Sequence, residues 1–111
     1  MIFNLFSLKN RTAVVTGASG YLGKKICLTL SELGANIILI DRKKTKENQI
    51  FLSSLKSKYK NQKFKIFYAD FLRENQKKKL ISNLKKNKDI SILVNNAAFV
   101  PKKGSRGYIE P

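Results

Sequence analysis

Three glycines spaced three apart, Gly17, Gly20 and Gly23, sit in the stretch Thr16-Gly-Ala-Ser-Gly-Tyr-Leu-Gly23. That stretch joins an apolar run, Ala13-Val14-Val15, to a helix-like segment. The chemistry it suits is anion binding. Backbone N–H groups at a helix N-terminus point outward, and the helix dipole there favours negative charge. A Cβ would block a phosphate or forbid the turn. Gly17 permits a tight exit from the strand, Gly20 lets a phosphate approach the backbone, and Gly23 lets the helix pack close to the strand. Ser19 can donate its hydroxyl to a phosphate oxygen, while Tyr21 and Leu22 carry the loop into the helix. The plainer reading is an ordinary turn.

A second apolar run, Ile37-Ile38-Leu39-Ile40, ends on Asp41, eighteen residues after Gly23. Strand, glycine turn, helix, strand and acid is the layout of a dinucleotide-binding unit. A carboxylate at that strand end can accept both ribose hydroxyls of the adenosine half. It would repel a 2′-phosphate, which favours NAD over NADP. Arg42 pulls the other way, because its guanidinium could pair with that phosphate. The bland alternative for Asp41 is a strand-end turn. Asp70 ends a third apolar run and could bond the adenine amino group, with Phe71 against the ring; a turn or helix-capping role is the alternative. Asn95-Asn96-Ala97-Ala98 follows a fourth run. Its small residues would let a cofactor pass over the strand end, and its amides can tie neighbouring strands together.

Those groups need four strands and three helices to hold them. Thr12 to Thr16 reads as a buried strand, Asn36 to Ile40 as a strand apolar on both faces, Phe64 to Tyr68 as a third strand, and Ile90 to Val94 as a fourth that is expected to form an exposed edge. Tyr21 to Leu33 reads as a helix with an apolar stripe of Leu22, Ile26, Leu30 and Leu33, closed by Gly34 in a left-handed cap. Thr45 can cap the next helix, with Ile50, Leu52, Leu55 and Tyr59 on its apolar face. The third helix spans about Glu74 to Lys86, with Lys77, Leu80, Ile81 and Leu84 on adjacent turns. Leu5, Phe6 and Leu8 are expected beneath the sheet. The alternation specifies an α/β fold: a partial doubly wound parallel sheet of about four strands in the order 3-2-1-4, with helices on both faces. Residues 1–111 form one incomplete dinucleotide-binding domain on this reading, and 101–111 a polar, turn-rich tail expected to be mobile.

Composition narrows the partners. The net charge is +16, from 23 basic and 7 acidic residues, and nineteen of the basic residues are lysine. Lysine, Asn, Ile and Phe are residues of AT-rich codons, and the lysines are scattered. Four arginines are few for reading bases by guanidinium forks, so no nucleic-acid partner is expected. With one cysteine and no histidine there is neither a disulfide framework nor a metal site. No run is long enough for a membrane span or a signal segment, and a reducing, cytoplasmic setting fits.

Taken together, the glycine loop, Asp41, Ala69-Asp70-Phe71 and Asn95-Asn-Ala-Ala98 occur in the order and spacing of one family. The chain resembles the N-terminal half of the short-chain dehydrogenases/reductases, from about Leu8 to Val100. That resemblance implies that Asn96, Ala97 and Ala98 line a NAD(P) cofactor, and that the parent is an oxidoreductase and a homo-oligomer. Leu8-Lys9-Asn10-Arg11 looks like the short, single-domain branch. The glycine spacing is similar to the extended, sugar-nucleotide-modifying branch, and to short-type members of surface-polysaccharide pathways.

In that family a Ser and a Tyr-x-x-x-Lys perform the chemistry, beyond the Asn-Asn-Ala segment. Their counterparts are therefore expected past Pro111, leaving no catalytic residues here. Two internal matches, Tyr21 to Lys25 and Tyr59 to Lys63, are rejected: the first lies in the phosphate loop, the second away from the strands' carboxyl ends. The expectation is an N-terminal, cofactor-binding part of an NAD(P)-dependent oxidoreductase. The alternatives are a non-catalytic nucleotide-binding module and part of a sugar-nucleotide epimerase or dehydratase.

Overall fold

The computed structural model describes residues 6–96. The elements run β1 (Thr12–Thr16), α1 (Tyr21–Glu32), β2 (Asn36–Asp41), α2 (Lys46–Lys58), β3 (Phe64–Tyr68), α3 (Glu74–Leu84) and β4 (Ile90–Asn95). Every strand pairing is parallel, and the sheet order is β3-β2-β1-β4. This is the partial doubly wound sheet that the alternation specifies.

Burial follows that order. The central strands β1 and β2 are covered on both faces, so both read as continuous apolar runs. The outer strands alternate more; β4 shows every second residue to solvent. Two clusters fill the two faces. One joins Val15, Ile37 and Leu39 to Cys27 of α1 and Leu55 of α2. The other joins Val14, Ile38 and Ile40 to Leu80 of α3. Helices α1 and α2 thus cover one face and α3 the other.

The helix faces differ in detail from their sequence-based assignment. In α1 the residues pressed on the sheet are Gly23, Cys27 and Ser31, with Ile26 and Leu30 beside them. Leu22 is exposed. Small residues carry the contact because the helix lies close to β1, leaving no room for a leucine stripe. The buried Ser31 hydroxyl is satisfied by donating to the Cys27 carbonyl at 2.7 Å. In α2, Leu55 is buried while Ile50 points outward, and Phe51 packs in its place. In α3, Leu80 and Leu84 face the core and Ile81 is exposed.

The turns are built as their residues suggest. Gly34 has φ 101°, and the Gly34 and Ala35 N–H groups donate to the Ser31 and Leu30 carbonyls, closing α1. A Cβ there would also sit 3.3 Å from the Lys9 nitrogen, in the lead-in segment that Leu8 anchors by donating to the Leu33 carbonyl. Leu8 packs under the sheet, Phe6 is exposed, and Leu5 lies outside the described residues. The tail 101–111 lies outside them too.

Candidate dinucleotide cleft

All four strands run the same way, so their carboxyl ends share one edge. A cleft of about 410 Å³ opens there. Its walls are the glycine loop (Gly17, Ser19, Gly20), the end of β2 (Ile40, Asp41, Arg42), the end of β3 (Ala69, Asp70, Phe71, Leu72) and Asn96. In open parallel sheets this is where ligands bind.

The glycine loop is shaped by its own backbone. Gly17 has φ 66°, a conformation that side chains disfavour, and its N–H donates to the Ile40 carbonyl at 3.0 Å. Gly20 closes the turn by donating to the Gly17 carbonyl at 3.2 Å, then caps α1. No side chain caps α1, and its first turn holds no acid. By contrast, α2 has the Thr45 hydroxyl and Glu47, and α3 has Glu74. The first-turn N–H groups of α1 have no acceptor ahead of them within the helix.

The glycines differ in what they serve. At Gly23 a Cβ would sit 2.1 Å from the Gly17 carbonyl oxygen, so the helix could not start where it does. At Gly20 a Cβ would meet only that same oxygen, at 3.5 Å, which is ordinary contact. Internal packing therefore requires glycine at 23 and not at 20.

Asp41 latches the loop. Its Oδ2 accepts from the Ser19 N–H at 2.8 Å, and its Oδ1 accepts from the Arg42 N–H at 2.7 Å. Arg42 turns towards β3, with Nε 3.8 Å from Asp70 Oδ2. Asp70 Oδ1 accepts from the Leu72 N–H at 3.0 Å, and the Asp70 N–H donates to Gln76 Oε1 at 2.8 Å. Asp70 thus makes a turn before α3, whose N-cap is Arg73. Phe71 and Leu72 present exposed apolar surface at the cleft.

Asn95 and Asn96 tie β4 to β1. Thr16 Oγ1 lies 3.2 Å from Asn95 Oδ1 and accepts from the Asn96 N–H at 3.0 Å; Asn96 Nδ2 donates to the Gly17 carbonyl at 3.2 Å. Ala97 and Ala98 lie outside the described residues. Beside the cleft, Tyr68 ends β3 with its hydroxyl buried and without a partner among the described residues. Burial, then the nearby Asp41 carboxylate, push that phenol above its ordinary pKa.

Of the residues singled out from sequence, Gly17, Ser19, Gly20, Asp41, Arg42, Asp70, Phe71 and Asn96 meet at the cleft. Tyr21, Leu22 and Gly23 start α1 outside its lining; Tyr21 is exposed, with the Lys25 ammonium 4.8 Å from its ring centroid. The Tyr59 hydroxyl donates to Glu32 at 2.7 Å, away from the cleft lining. Sequence reasoning missed Leu72 and Ile40 as wall residues. It also missed the Ser19–Asp41 latch, for which no local pattern exists.

A family model described as short chain dehydrogenase matches residues 11–108. The chain belongs to the short-chain dehydrogenase family. Within it, the chain is 38% identical over 96 residues to a very-long-chain 3-oxoacyl-CoA reductase of Aspergillus terreus, covering 82% of this chain and 26% of that protein. Among solved structures it resembles the Pseudomonas aeruginosa RhlG/NADP active-site complex, at 32% identity and a TM-score of 0.73, over 89% of this chain and 39% of the other. It also resembles a 3-oxoacyl (acyl-carrier-protein) reductase from Agrobacterium tumefaciens with NADP bound, at 25% identity and a TM-score of 0.76, over 91% of this chain and 38% of the other. The chain therefore spans about a quarter of the curated relative's length. Among the described residues no helix is long and apolar enough to cross a membrane.

Proposed function

We propose that this chain is the cofactor-binding part of an NAD(P)-dependent oxidoreductase. The observation that carries the reading is the bare N-terminus of α1 over the cleft, beside a glycine at 20 that internal packing does not require. A cradle left open by a missing Cβ, next to uncommitted helix N–H groups, fits a pyrophosphate. The two relatives whose structures contain NADP support the same class of ligand.

On this reading the first turn of α1, with Gly17, Ser19 and Gly20, holds the pyrophosphate. Tyr21 and Leu22 contribute backbone N–H groups, and Gly23 keeps the helix close enough for them to reach. Asp41 and Arg42 face the adenosine ribose; Asp70 and Phe71 face the adenine. Asn96 would floor the path over the end of β4, and Ala97 and Ala98, outside the described residues, are assigned to the cofactor by the family resemblance alone. Once bound, the nicotinamide supplies or accepts a hydride. The chain's own contribution is to bind and orient it. Proton transfer would fall to a Ser and a Tyr-x-x-x-Lys elsewhere in a longer protein, since neither internal match lines the cleft.

The substrate would be a carbonyl or an alcohol. Relatives named as 3-oxoacyl reductases support a 3-oxo thioester, in preference to the sugar-derived substrate that the glycine spacing suggests. The parent would be a homo-oligomer, and the buried single thiol of Cys27 fits a reducing, cytoplasmic setting.

The test is a fluorescence titration of the chain with NADH and NADPH, repeated with Gly20→Val. The backbone at 20 is extended, so valine is tolerated there and the variant should melt within about 1 kcal/mol of the parent. Affinity should fall at least ~10-fold, as expected when phosphate can no longer reach the N–H groups. Unchanged affinity in a folded variant would remove the phosphate-loop assignment.

A further inference from the structure

The segments that enter the four strands form one continuous face at the end opposite the cleft. Hydrogen bonds hold them side by side. The Asn36 N–H donates to the Arg11 carbonyl at 2.9 Å, the Ile37 N–H to the Lys63 carbonyl at 3.0 Å, and the Thr12 N–H to the Asp89 carbonyl at 3.2 Å. The turns themselves are fixed. Asn10 has φ 64°, and the Arg11 N–H donates to the Leu8 carbonyl at 3.0 Å. Gln62 Nε2 donates to the Ser31 and Ala35 carbonyls at 2.9 and 2.6 Å, seating the entry to β3 on the end of α1 and the entry to β2.

Cations crowd this face. Segments 6–11, 33–35, 59–63 and 85–89 carry seven basic residues and one acid, Asp89. The turns at the cleft end, 17–20, 41–45 and 69–73, carry four basic residues and two acids. Lysines scattered along the sequence are thus gathered by the fold at the end that does not hold the cleft. All seven cations are exposed, and none has an ion-pair partner among the described residues. Asp89 is committed, its Oδ2 accepting from the buried Thr12 hydroxyl at 2.8 Å. Complementing a helix C-terminus accounts for a lysine in a last turn. Lys9, Arg11, Lys63 and Lys88 lie beyond any last turn. Apolar surface adjoins the cations. Phe6 is 60% exposed, two residues ahead of Leu8, whose N–H donates to the Leu33 carbonyl at this end. It follows Met1-Ile2-Phe3-Asn4-Leu5, a largely apolar stretch outside the described residues.

We propose that this face docks on an anionic lipid bilayer. Its cations meet the charged headgroups, and Phe6, with the apolar residues ahead of it, enters the interface. Electrostatic attraction and apolar insertion are each weak alone and together give a stable surface contact. Lysine stems are apolar and lie along the same boundary, with their ammonium groups among the headgroups. The cleft is at the opposite end of the strands, so a docked chain leaves it open to solvent. Lipid is favoured over nucleic acid on two counts. Only one of the seven cations is an arginine, the residue that forks onto bases. A bilayer also takes up the exposed phenylalanine, which a phosphate backbone would leave in water. Docking of this kind is independent of what the cleft binds.

Co-sedimentation of the chain with vesicles tests it, comparing phosphatidylcholine alone with phosphatidylcholine holding about 30% phosphatidylserine, at about 0.1 M salt. Partition onto the anionic vesicles should be ~10-fold stronger or more, and should weaken at about 0.5 M salt as screening shortens the reach of each cation. Lys86→Ser with Lys88→Ser should weaken it ~10-fold, whereas Lys78→Ser with Lys79→Ser, the same charge removed from α3, should change it by less than ~2-fold. Phe6→Ser should weaken it ~3-fold or more through loss of an interfacial aromatic. All of these side chains are exposed, so the variants should melt as the parent does. Equal partition onto the two vesicles would overturn the proposal. Equal losses from the two lysine pairs would mean attraction by net charge and overturn the assignment to this face. Unchanged binding by Phe6→Ser would overturn the apolar insertion. A labelled oligonucleotide bound more tightly than the anionic vesicles, and released by Lys86→Ser with Lys88→Ser, would replace lipid with nucleic acid.

Discussion

Gly23 sets the position of α1 by lacking one carbon. Its absent Cβ would overlap the Gly17 carbonyl at 2.1 Å and the Ala18 Cα at 2.9 Å, both backbone atoms that cannot swing aside. Gly23→Ala should therefore cost about 3 kcal/mol, at the upper end for overpacking, as read by urea melts. Its effect contrasts with that of Gly20→Val, which should spare the fold and remove binding. Cys27 offers a second test at this scale. Burial pushes its thiol up from 9.0 to about 12. The folded state therefore keeps a proton that the unfolded chain releases above pH 9.0. Stability from this group is intact below pH 9.0 and is lost as the pH climbs towards about 12. Cys27→Ala should flatten that alkaline decline in thermal melts, and an unaltered slope would show that the thiol does not titrate this way. Much at this scale was legible from the sequence, because the glycines, Asp41, Asp70 and Asn96 are fixed by spacing along the chain. Leu72 and the Ser19–Asp41 latch were not, because they depend on distances across the sheet edge, which spacing does not report. Asp70 shows the same limit: its sequence suits a turn or an adenine contact, and only the fold shows one carboxylate oxygen closing the turn while the other holds two arginines.

Among the elements, strands were read more accurately than helix faces. The bounds of β1 and β3 coincide with the sequence reading, and β2 and β4 each extend one residue further. For β1 and β2 the reason is that a strand buried on both faces has no face to misassign. A helix does. In α1 the leucines suggested one stripe, but the sheet selected the small residues that allow close approach. In α2 the apolar residues at 50, 51 and 52 leave the face ambiguous, and the structure settles it through Asn48. That residue is 2% exposed; its N–H donates to Thr45 Oγ1 at 3.1 Å and its side chain to Lys43. A polar residue so deeply placed was not legible as an anchor. Thr45→Ala should cost about 1 kcal/mol, the usual effect of losing a helix cap. Asn48→Ala should cost more, about 2 kcal/mol, because it strands a carbonyl and leaves a void. If chemical denaturation ranks Thr45→Ala as the costlier change, the loop is held by the cap and not by Asn48.

The whole molecule sets an apolar edge against a large like charge. β4 is the outer strand of the described sheet on one side, and Leu93 on it is 69% exposed. Leu22 and Leu28 of α1 are also exposed. An unpaired strand with apolar side chains invites pairing with a second copy. Opposing this, a net charge of +16 on 111 residues makes two chains repel. The balance should shift with salt. Repulsion is felt over about 30 Å at 0.01 M and about 3 Å at 1 M ionic strength, whereas burial of leucine is not screened. Sedimentation of the chain should therefore show little association at about 0.02 M salt and clear dimers or larger species at about 0.5 M. Leu93→Lys should hold the chain monomeric at both, since it removes the apolar contact and adds charge to the edge. A parent chain that stays monodisperse at high salt and melts cooperatively would mean that the β4 edge does not drive association. Association that weakens with salt would point instead to ionic contacts, for which seven acidic residues against 23 basic ones provide few partners.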